Sequence, residues 1–200
     1  MQEEILLPTT VLLSKKEYVQ NHFILNMTHI LAPEYYFDIF ESLRNSSQND
    51  LLELRLSSPG GRVDSGMIFY NIIKENFKGR NVAYIDSTAI SMAALLFLAC
   101  EQRIIYPHSI LMLHDMSTGL DGKANEIVNH IKAHKESYQI MFNRVCKDFL
   151  TKKEIKLVDR GVDLYLSASD MCRKGIADFV IFDGETLSAK DYLAEVEKHN

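Results

Sequence analysis

From position 51 onward, short apolar runs of strand length alternate with segments whose apolar residues have helical spacing. Leu51–Leu56 is followed by Val63–Phe77, which repeats apolar residues every three to four positions. Val82–Ile85 is then followed by Ser91–Cys100, a helix so apolar that we expect it to be buried. Repeated strand–helix–strand units build parallel sheets covered by helices. The alternation therefore predicts an α/β fold with layered βαβ units and a largely parallel sheet.

The second half of the chain continues this pattern without a linker, a repeat or a low-complexity stretch. Ser167 followed by Asp170 is a helix-capping pattern, with Asp in the usual place of Glu. A short helical turn is expected after Thr151, and a polar helix over Ser188–His199. The remaining strands are expected at Ile104–Tyr106, Ile110–Leu113, Leu164–Leu166 and Ile176–Phe182. We expect one domain over residues 1–200.

The predicted helix Lys123–Phe149 is longer than the sheet can cover. Its apolar seam recurs at spacings of four and three, as in a coiled coil. The seam residues are Ile127, Ile131, His134, Tyr138, Met141, Val145 and Phe149. At about 1.5 Å per residue the helix approaches roughly 40 Å. We expect its far end to protrude and to pack on another subunit, the alternative being a helix that lies wholly on its own domain.

Composition excludes several classes of protein. The chain has 200 residues, 46% of them hydrophobic, and a net charge of −5 without a basic block, so we expect no nucleic-acid partner. It has no apolar run of membrane-spanning length, and the acidic start Met1–Glu4 is unlike a signal peptide, which predicts a cytoplasmic protein. The three cysteines form no zinc or redox pattern and are expected to be buried thiols. No metal and no cofactor is predicted.

Two short segments carry the chemistry. Ser58-Pro59-Gly60-Gly61 ends a strand in a glycine turn whose backbone N–H groups could hold an oxyanion. Ala89-Ile90-Ser91-Met92-Ala93 places a serine between small residues where a strand turns into a helix. Together they supply a nucleophile and an oxyanion hole, two parts of an acyl-transfer site.

A serine nucleophile needs a base, and His114 has the best context among seven histidines. It follows the predicted strand Ile110–Leu113 directly, at the kind of strand end where α/β proteins place their sites. His130 and His134 are four apart and could share a metal ion, but no third ligand is visible and a seam or surface pair is the commoner role. His108 is interpreted as a loop residue.

The residue that orients the base is harder to choose. Four aspartates follow His114 along the chain, and spacing does not decide among them: Asp159, Asp163, Asp170 and Asp178. Asp170 is accounted for as a cap. Asp163 precedes an apolar strand and could sit half-buried beside an imidazole, which ranks it slightly above Asp159.

With these residues in view, the chain resembles the proteolytic subunit of the Clp protease, within the wider Clp–crotonase fold. The resemblance extends from about residue 22 to 182. Its matching segments, in chain order, are Ser58-Pro59-Gly60-Gly61 with Gly66, Ala89-Ile90-Ser91-Met92-Ala93, Pro107-His108-Ser109 leading to Met112-Leu113-His114, Gly122-Lys123-Ala124-Asn125-Glu126-Ile127, Asp163-Leu164-Tyr165-Leu166-Ser167-Ala168 and Gly175-Ile176-Ala177-Asp178.

The resemblance implies a serine endopeptidase that cleaves unfolded polypeptides inside an oligomeric chamber. It implies Ser91 as nucleophile, His114 as general base and acid, and Asp163 as the residue that orients His114. The N–H groups of Gly61 and Met92 would form the oxyanion hole. The region of about residues 115–149 would be a handle that packs ring against ring in two stacked heptamers, with its first residues beside the substrate channel.

Departures from the family pattern affect the site and the expected partner. Ala93 replaces a usual glycine, and Asp115 follows the histidine where the family has glutamine, which could alter the base or the substrate preference. Glu53 and Arg55 replace aromatic residues that line the cleft where the unfoldase ATPase docks. Charged groups are costly in an apolar cleft. We expect that the chain does not use the usual Clp ATPases, or docks them differently.

Two other functions remain open. A crotonase-type acyl-CoA enzyme would share the backbone oxyanion hole but usually works with carboxylates, and the ordered Ser91 and His114 argue against it. An inactive scaffold subunit of a mixed ring would not need all three catalytic positions filled, as they are here.

Overall fold

The computed structural model describes residues 21–117, 119 and 121–198. The acidic start Met1–Glu4 and His199 lie outside the described residues. The strands in chain order are β1 (His22–Met27), β2 (Leu51–Ser58), β3 (Asn81–Ile90), β4 (Gln102–Ile105), β5 (Ile110–Leu113), β6 (Leu164–Leu166), β7 (Phe179–Phe182) and β8 (Glu185–Ser188). A 3₁₀ turn over Pro33–Tyr36 precedes the helices α1 (Phe37–Arg44), α2 (Val63–Glu75), α3 (Met92–Ala99), α4 (Ala124–Cys146), α5 (Lys152–Asp159), α6 (Ala168–Arg173) and α7 (Ala189–Lys198).

The described strands form one sheet in the order β1-β2-β3-β4-β7-β8, with β5 beside β3 and β6 beside β5. The pairs along β1-β2-β3-β4-β7 and the pair β3–β5 are parallel. The pairs β5–β6 and β7–β8 are antiparallel. The prediction of an α/β fold with a largely parallel sheet is confirmed.

Strand β3 pairs with two different strands on one side, one after the other along its length. Val82–Ile85 pairs with β4, whereas Thr88–Ile90 pairs with β5. The predicted strand ended at Ile85, because the polar Asp86-Ser87-Thr88 breaks the apolar pattern. Pairing with β5 extends the strand to Ile90, directly before Ser91. The chain thus delivers the candidate nucleophile at the carboxyl end of a central strand.

Helix α3 lies at the centre of the core, as its apolar sequence predicts. All eight of its residues, Met92–Ala99, are buried. A helix that is apolar all round must be covered on every side, and α3 contacts α2, α4 and the sheet. Gly66 of α2 allows the closest of these approaches, since a Cβ there would lie 2.2 Å from the Met92 side chain. The start of α3 is therefore held firmly behind Ser91.

Helix α4 is buried along only part of its length. Its 23 residues correspond to roughly 35 Å. The buried residues Tyr138, Met141, Phe142, Val145 and Cys146 all lie in its second half. Between Ala124 and Ser137 no residue is buried by the described part of this chain, and Val128 is 62% exposed. The predicted helix is confirmed, and the first half of its seam is at most half-buried by the described chain.

The strand predicted at Ile176–Phe182 is shorter than expected. The N–H groups of Ile176 and Ala177 donate back to the carbonyl of Met171, at 2.9 and 3.3 Å, and close helix α6. Strand β7 therefore begins only at Phe179, directly after the Asp178 N–H that donates to the Arg103 carbonyl of β4 at 2.8 Å. Among the described residues, no helix combines the length and the apolar character needed to cross a lipid bilayer.

All three cysteines are buried and unpaired. Burial raises the pKa of the Cys100 and Cys146 thiols to about 12 and that of Cys172 to about 11. Such thiols carry little thiolate at neutral pH and behave as small apolar residues. Their burial matches the interpretation of the sequence.

Candidate active site

Ser91 occupies a tight elbow between β3 and α3. Its backbone has φ +59° and ψ −125°, in a region that non-glycine residues rarely adopt. Its N–H donates to the carbonyl of Met112 at 2.9 Å, and its own carbonyl accepts from Leu95 at 3.2 Å. Such a conformation costs on the order of 1–3 kcal/mol and is typical of functional sites. The other non-glycine residue with positive φ in the described chain, Asp183, lies in the β7–β8 turn.

The glycine turn after β2 packs directly against this elbow. Gly60 has φ +92°, and a Cβ there would lie 2.6 Å from the Ile90 carbonyl oxygen and 2.8 Å from the Ser91 Cβ. Gly61 has φ +141°, and a Cβ there would lie 2.1 Å from the Ile30 carbonyl oxygen. Only glycine allows both the backbone conformation and this close approach. The motif therefore holds the turn against the serine.

Two backbone N–H groups at this contact lack an acceptor. The Gly61 N–H donates no hydrogen bond within the described chain. The two backbone bonds between this turn and Ile30 use the Gly60 carbonyl and the Arg62 N–H instead. The Met92 N–H, at the first turn of α3, also has no acceptor there. Helix N-termini and glycine turns with free N–H groups bind anions. These are the two donors that the resemblance assigned to an oxyanion hole.

His114 follows β5, so it leaves the sheet at the same edge as Ser91. Strand β5 is parallel to β3, with Ile90 opposite Met112. Strand β6 runs antiparallel to β5 and pairs Leu113 with Leu164. One further step in this register sets His114 opposite Asp163. The candidates for the nucleophile, the base and the residue that orients the base thus lie at one edge of the sheet, at the ends of three neighbouring strands.

The four candidate aspartates have different environments. Asp159 accepts a hydrogen bond from the Gln139 side chain at 2.9 Å. Asp178 pairs with Arg103 at 3.0 Å. Asp170 completes the predicted capping box of α6, and hydrogen bonds from Ser167 lower the pKa of its carboxyl group.

Asp163 is the fourth of these aspartates. It makes no hydrogen bond or ion pair within the described chain. It is exposed, not half-buried as expected, because nothing in the described chain packs over the loop before β6. Its register opposite His114 supports it over Asp159 as the partner of the base.

The three side chains are not yet joined. In the described chain no hydrogen bond links the Ser91 hydroxyl, the half-buried His114 imidazole and the Asp163 carboxylate. Catalytic hydrogen bonds are often long before substrate binds, and shorten in the complex. The fold therefore brings the three residues to one end of the sheet without a hydrogen bond between their side chains in the described chain.

Three other described histidines have different surroundings. His108 lies in a turn, stacks on Tyr106 and has its Nε2 3.3 Å from the Asp86 carbonyl oxygen. The His130 and His134 rings stack on each other at 4.0 Å on the exposed half of α4. In the part of the chain that the structure describes, no three His, Cys, Asp or Glu side chains come together as metal ligands.

Asp115 does not stand unpaired beside the base. Its carboxylate accepts from Lys135 of α4 at 2.6 Å and from the N–H of Met116 at 2.8 Å. The hydrogen bond with Asp115 raises the pKa of the Lys135 ammonium group. The hydroxyl of Tyr138, one turn further along α4, donates to the carbonyl of His114 at 3.0 Å. Neither Lys135 nor Tyr138 stood out in the sequence as a site residue.

Comparison with known proteins agrees with this architecture. The model of the Clp protease family matches residues 28–184, which includes every residue of the candidate site. This chain belongs to the Clp protease family. The ATP-dependent Clp protease proteolytic subunit of Pleurastrum terricola is 27% identical to it over 148 residues, which cover 71% of this chain and 72% of that protein. The resemblance inferred from the motifs is confirmed, and it supports a peptidase activity.

Proposed function

We propose that this chain is a serine endopeptidase that cleaves unfolded polypeptides. Ser91 attacks the peptide carbonyl, His114 takes the serine proton and passes it to the leaving amine, and Asp163 orients the imidazole. The N–H groups of Gly61 and Met92 stabilise the oxyanion of the tetrahedral intermediate. Preorganised donors of this kind are worth about a hundredfold or more in rate each.

The observation that carries this proposal is the elbow at Ser91 with the glycine turn against it. A left-handed serine at the end of a central parallel strand points to a nucleophile. Two acceptor-free N–H groups beside it fit an oxyanion hole. Family membership favours peptide hydrolysis over the acyl-CoA chemistry of crotonases.

We further propose that the chain works as a homo-oligomer, with heptameric rings stacked into a tetradecamer. The uncovered first half of α4 supports this, since its half-buried Ile127 and Ile131 and its exposed Val128 form a surface that another subunit could bury. Enclosed active sites would then meet only unfolded chains. The buried thiols fit a reducing cytoplasm, where the proposed enzyme would act.

The proposal is tested by labelling the purified protein with a fluorophosphonate and measuring its particle mass in the same preparation. We expect the probe to modify Ser91, identified by peptide mass spectrometry, in particles of several subunits that cleave an unstructured protein. The exposed Ser87 of β3 is an internal control and should remain unlabelled. Assembled particles that never react with the probe and cleave no unstructured protein would refute it, as expected of an inactive scaffold.

The charged face on β2 supports the expectation about the ATPase. The Arg55 guanidinium binds Asp86 through two hydrogen bonds, lies over the Tyr84 ring at 4.1 Å and contacts Glu53 at 3.4 Å. Glu53 in turn lies 3.2 Å from the His22 imidazole. Partial burial lowers the pKa of Arg55, but the hydrogen bonds and charge of Asp86 raise it by more, so the pKa of Arg55 lies above its ordinary value. These groups satisfy one another and leave a polar face.

We therefore propose that a Clp-type unfoldase ATPase does not stimulate this chain. An apolar side chain docked there would remove water from these paired charges and would offer no hydrogen bond in place of those lost to water. The measurement is degradation of a folded, tagged substrate with and without the ATPase, beside ATPase-independent peptide hydrolysis as a control for active protein. Tight ATPase binding, or stimulated degradation, would contradict this expectation.

A further inference from the structure

Two side chains on one face of helix α4 bond to the segment after β5 that carries the candidate base His114. Tyr138 is 3% exposed, and its hydroxyl donates to the main-chain carbonyl of His114 at 3.0 Å. Lys135 lies one turn earlier and reaches the Asp115 carboxylate at 2.6 Å. Two successive residues after β5 are therefore tied to one helix, by one neutral and one charged hydrogen bond.

The Tyr138 hydroxyl is buried, so its hydrogen bond is kept only while the His114 carbonyl stays in its present position. Burial raises the pKa of the Tyr138 hydroxyl, so it stays a neutral donor across the working range of pH. A buried hydroxyl without a partner costs about 1–3 kcal/mol. The His114 carbonyl is its acceptor, so a displacement of His114 would leave this donor unsatisfied.

The Lys135 contact neutralises the carboxylate of Asp115, the residue that follows His114. Five ionisable groups belong to His114's neighbours in sequence, in strand register or on the packed helices. Asp115 follows His114, and Asp163 lies opposite it in the β5–β6 register. The others are Lys135 and Tyr138 of α4 and Asp159 of α5. The Asp159 charge also acts on Lys135, and its carboxylate is held by Gln139 of the same helix. Lys135 thus pairs directly with the Asp115 carboxylate and also interacts with the charge of Asp159.

We propose that Lys135 and Tyr138 are positioning residues for His114. Tyr138 fixes the backbone of the base, and Lys135 fixes and neutralises the Asp115 carboxylate beside it. This inference rests on the proposed peptidase function and adds two residues outside the Ser–His–Asp set. It also gives Asp115 a role, as the anchor by which α4 holds the strand end.

Removing the Lys135 charge while keeping its stem isolates the electrostatic part. In Lys135→Met, the uncompensated Asp115 carboxylate favours the protonated imidazole, which cannot act as a base. We expect the acidic limb of the kcat/KM profile to move to higher pH by roughly half a unit. Lys135→Arg should restore the wild-type limb. Adding Asp115→Asn to Lys135→Met should also restore it, because the unpaired charge is removed with its partner.

Tyr138→Phe isolates the positional part, since it deletes one hydroxyl and no charge. We expect kcat to fall about tenfold through misplacement of the base, with KM unchanged. Amide hydrogen exchange in a peptide covering residues 111–117 should become faster in Tyr138→Phe and in Lys135→Met. Lys132→Met, on an exposed position of the same helix, is the matched control and should change none of these readouts.

The two proposals fail in different ways. If wild-type protein reacts with the fluorophosphonate but the Lys135 and Tyr138 variants match it in pH profile, kcat and hydrogen exchange, the positioning roles are refuted and the peptidase stands. If wild type does not react but both variants speed exchange at residues 111–117, the peptidase is refuted and the bracing of this segment stands.

Discussion

Replacing Ser91 by alanine should lower kcat for a small unstructured peptide by about 10⁴- to 10⁶-fold. The hydroxyl at the β3–α3 elbow is the proposed attacking group, and no other described serine occupies a strained turn facing two acceptor-free N–H groups. The oxyanion donors and the binding surface remain, so a small rate above that in water should persist. The measurement is initial-rate kinetics with a fluorogenic peptide at saturating concentration.

The matched control for this variant is Ser87→Ala, an exposed serine four residues earlier, on strand β3. It should retain wild-type kcat. Particle mass should be the same for wild type and both variants, because neither hydroxyl packs in the core. A Ser91→Ala protein that keeps its assembly and more than about a tenth of the wild-type rate would exclude Ser91 as the nucleophile.

Replacing Asp163 by asparagine should lower kcat by about 10³- to 10⁴-fold while KM stays within a few-fold. An amide can hold the wrong imidazole tautomer and cannot stabilise the imidazolium that forms when Ser91 loses its proton. Because Asp163 is exposed and bonded to nothing in the described chain, the substitution should not alter stability. Steady-state kinetics and thermal unfolding of the same preparation measure both effects.

The control is Asp159→Asn, the alternative that spacing left open. Asp159 accepts a hydrogen bond from Gln139 of α4, and an asparagine at position 159 can still accept it. Its kcat should fall by no more than a few-fold. A loss of about 10³-fold or more in Asp159→Asn, together with a loss of only a few-fold in Asp163→Asn, would identify Asp159 as the partner of His114 instead.

The layered fold was predictable because its signals are local. The apolar spacing of Val63–Phe77 and the all-round apolar character of α3 correspond closely to helices Val63–Glu75 and Met92–Ala99. The capping box at Ser167 also follows from neighbouring residues. The β7–β8 hairpin was not predicted, although Asp183-Gly184 between two short strands is a typical turn signal.

The site was only partly predictable, because its residues meet through strand pairing. Ser91 and His114 could be selected from their positions at predicted strand ends. The sequence favours Asp163 over Asp159 only slightly, because the choice depends on the register between β5 and β6, which lie about fifty residues apart in sequence. Lys135 and Tyr138 reach the segment after β5 across a long connection, and no local pattern marks that contact.

The most direct test of the account is the structure of the assembled protein with a phosphonate bound to Ser91. We predict one imidazole nitrogen of His114 within about 3.2 Å of the Ser91 Oγ, the other facing the Asp163 carboxylate, and a phosphoryl oxygen within hydrogen-bonding distance of the Gly61 and Met92 N–H groups. An adduct whose His114 ring stays more than about 5 Å from Ser91 in every subunit, beyond direct proton transfer, would contradict it.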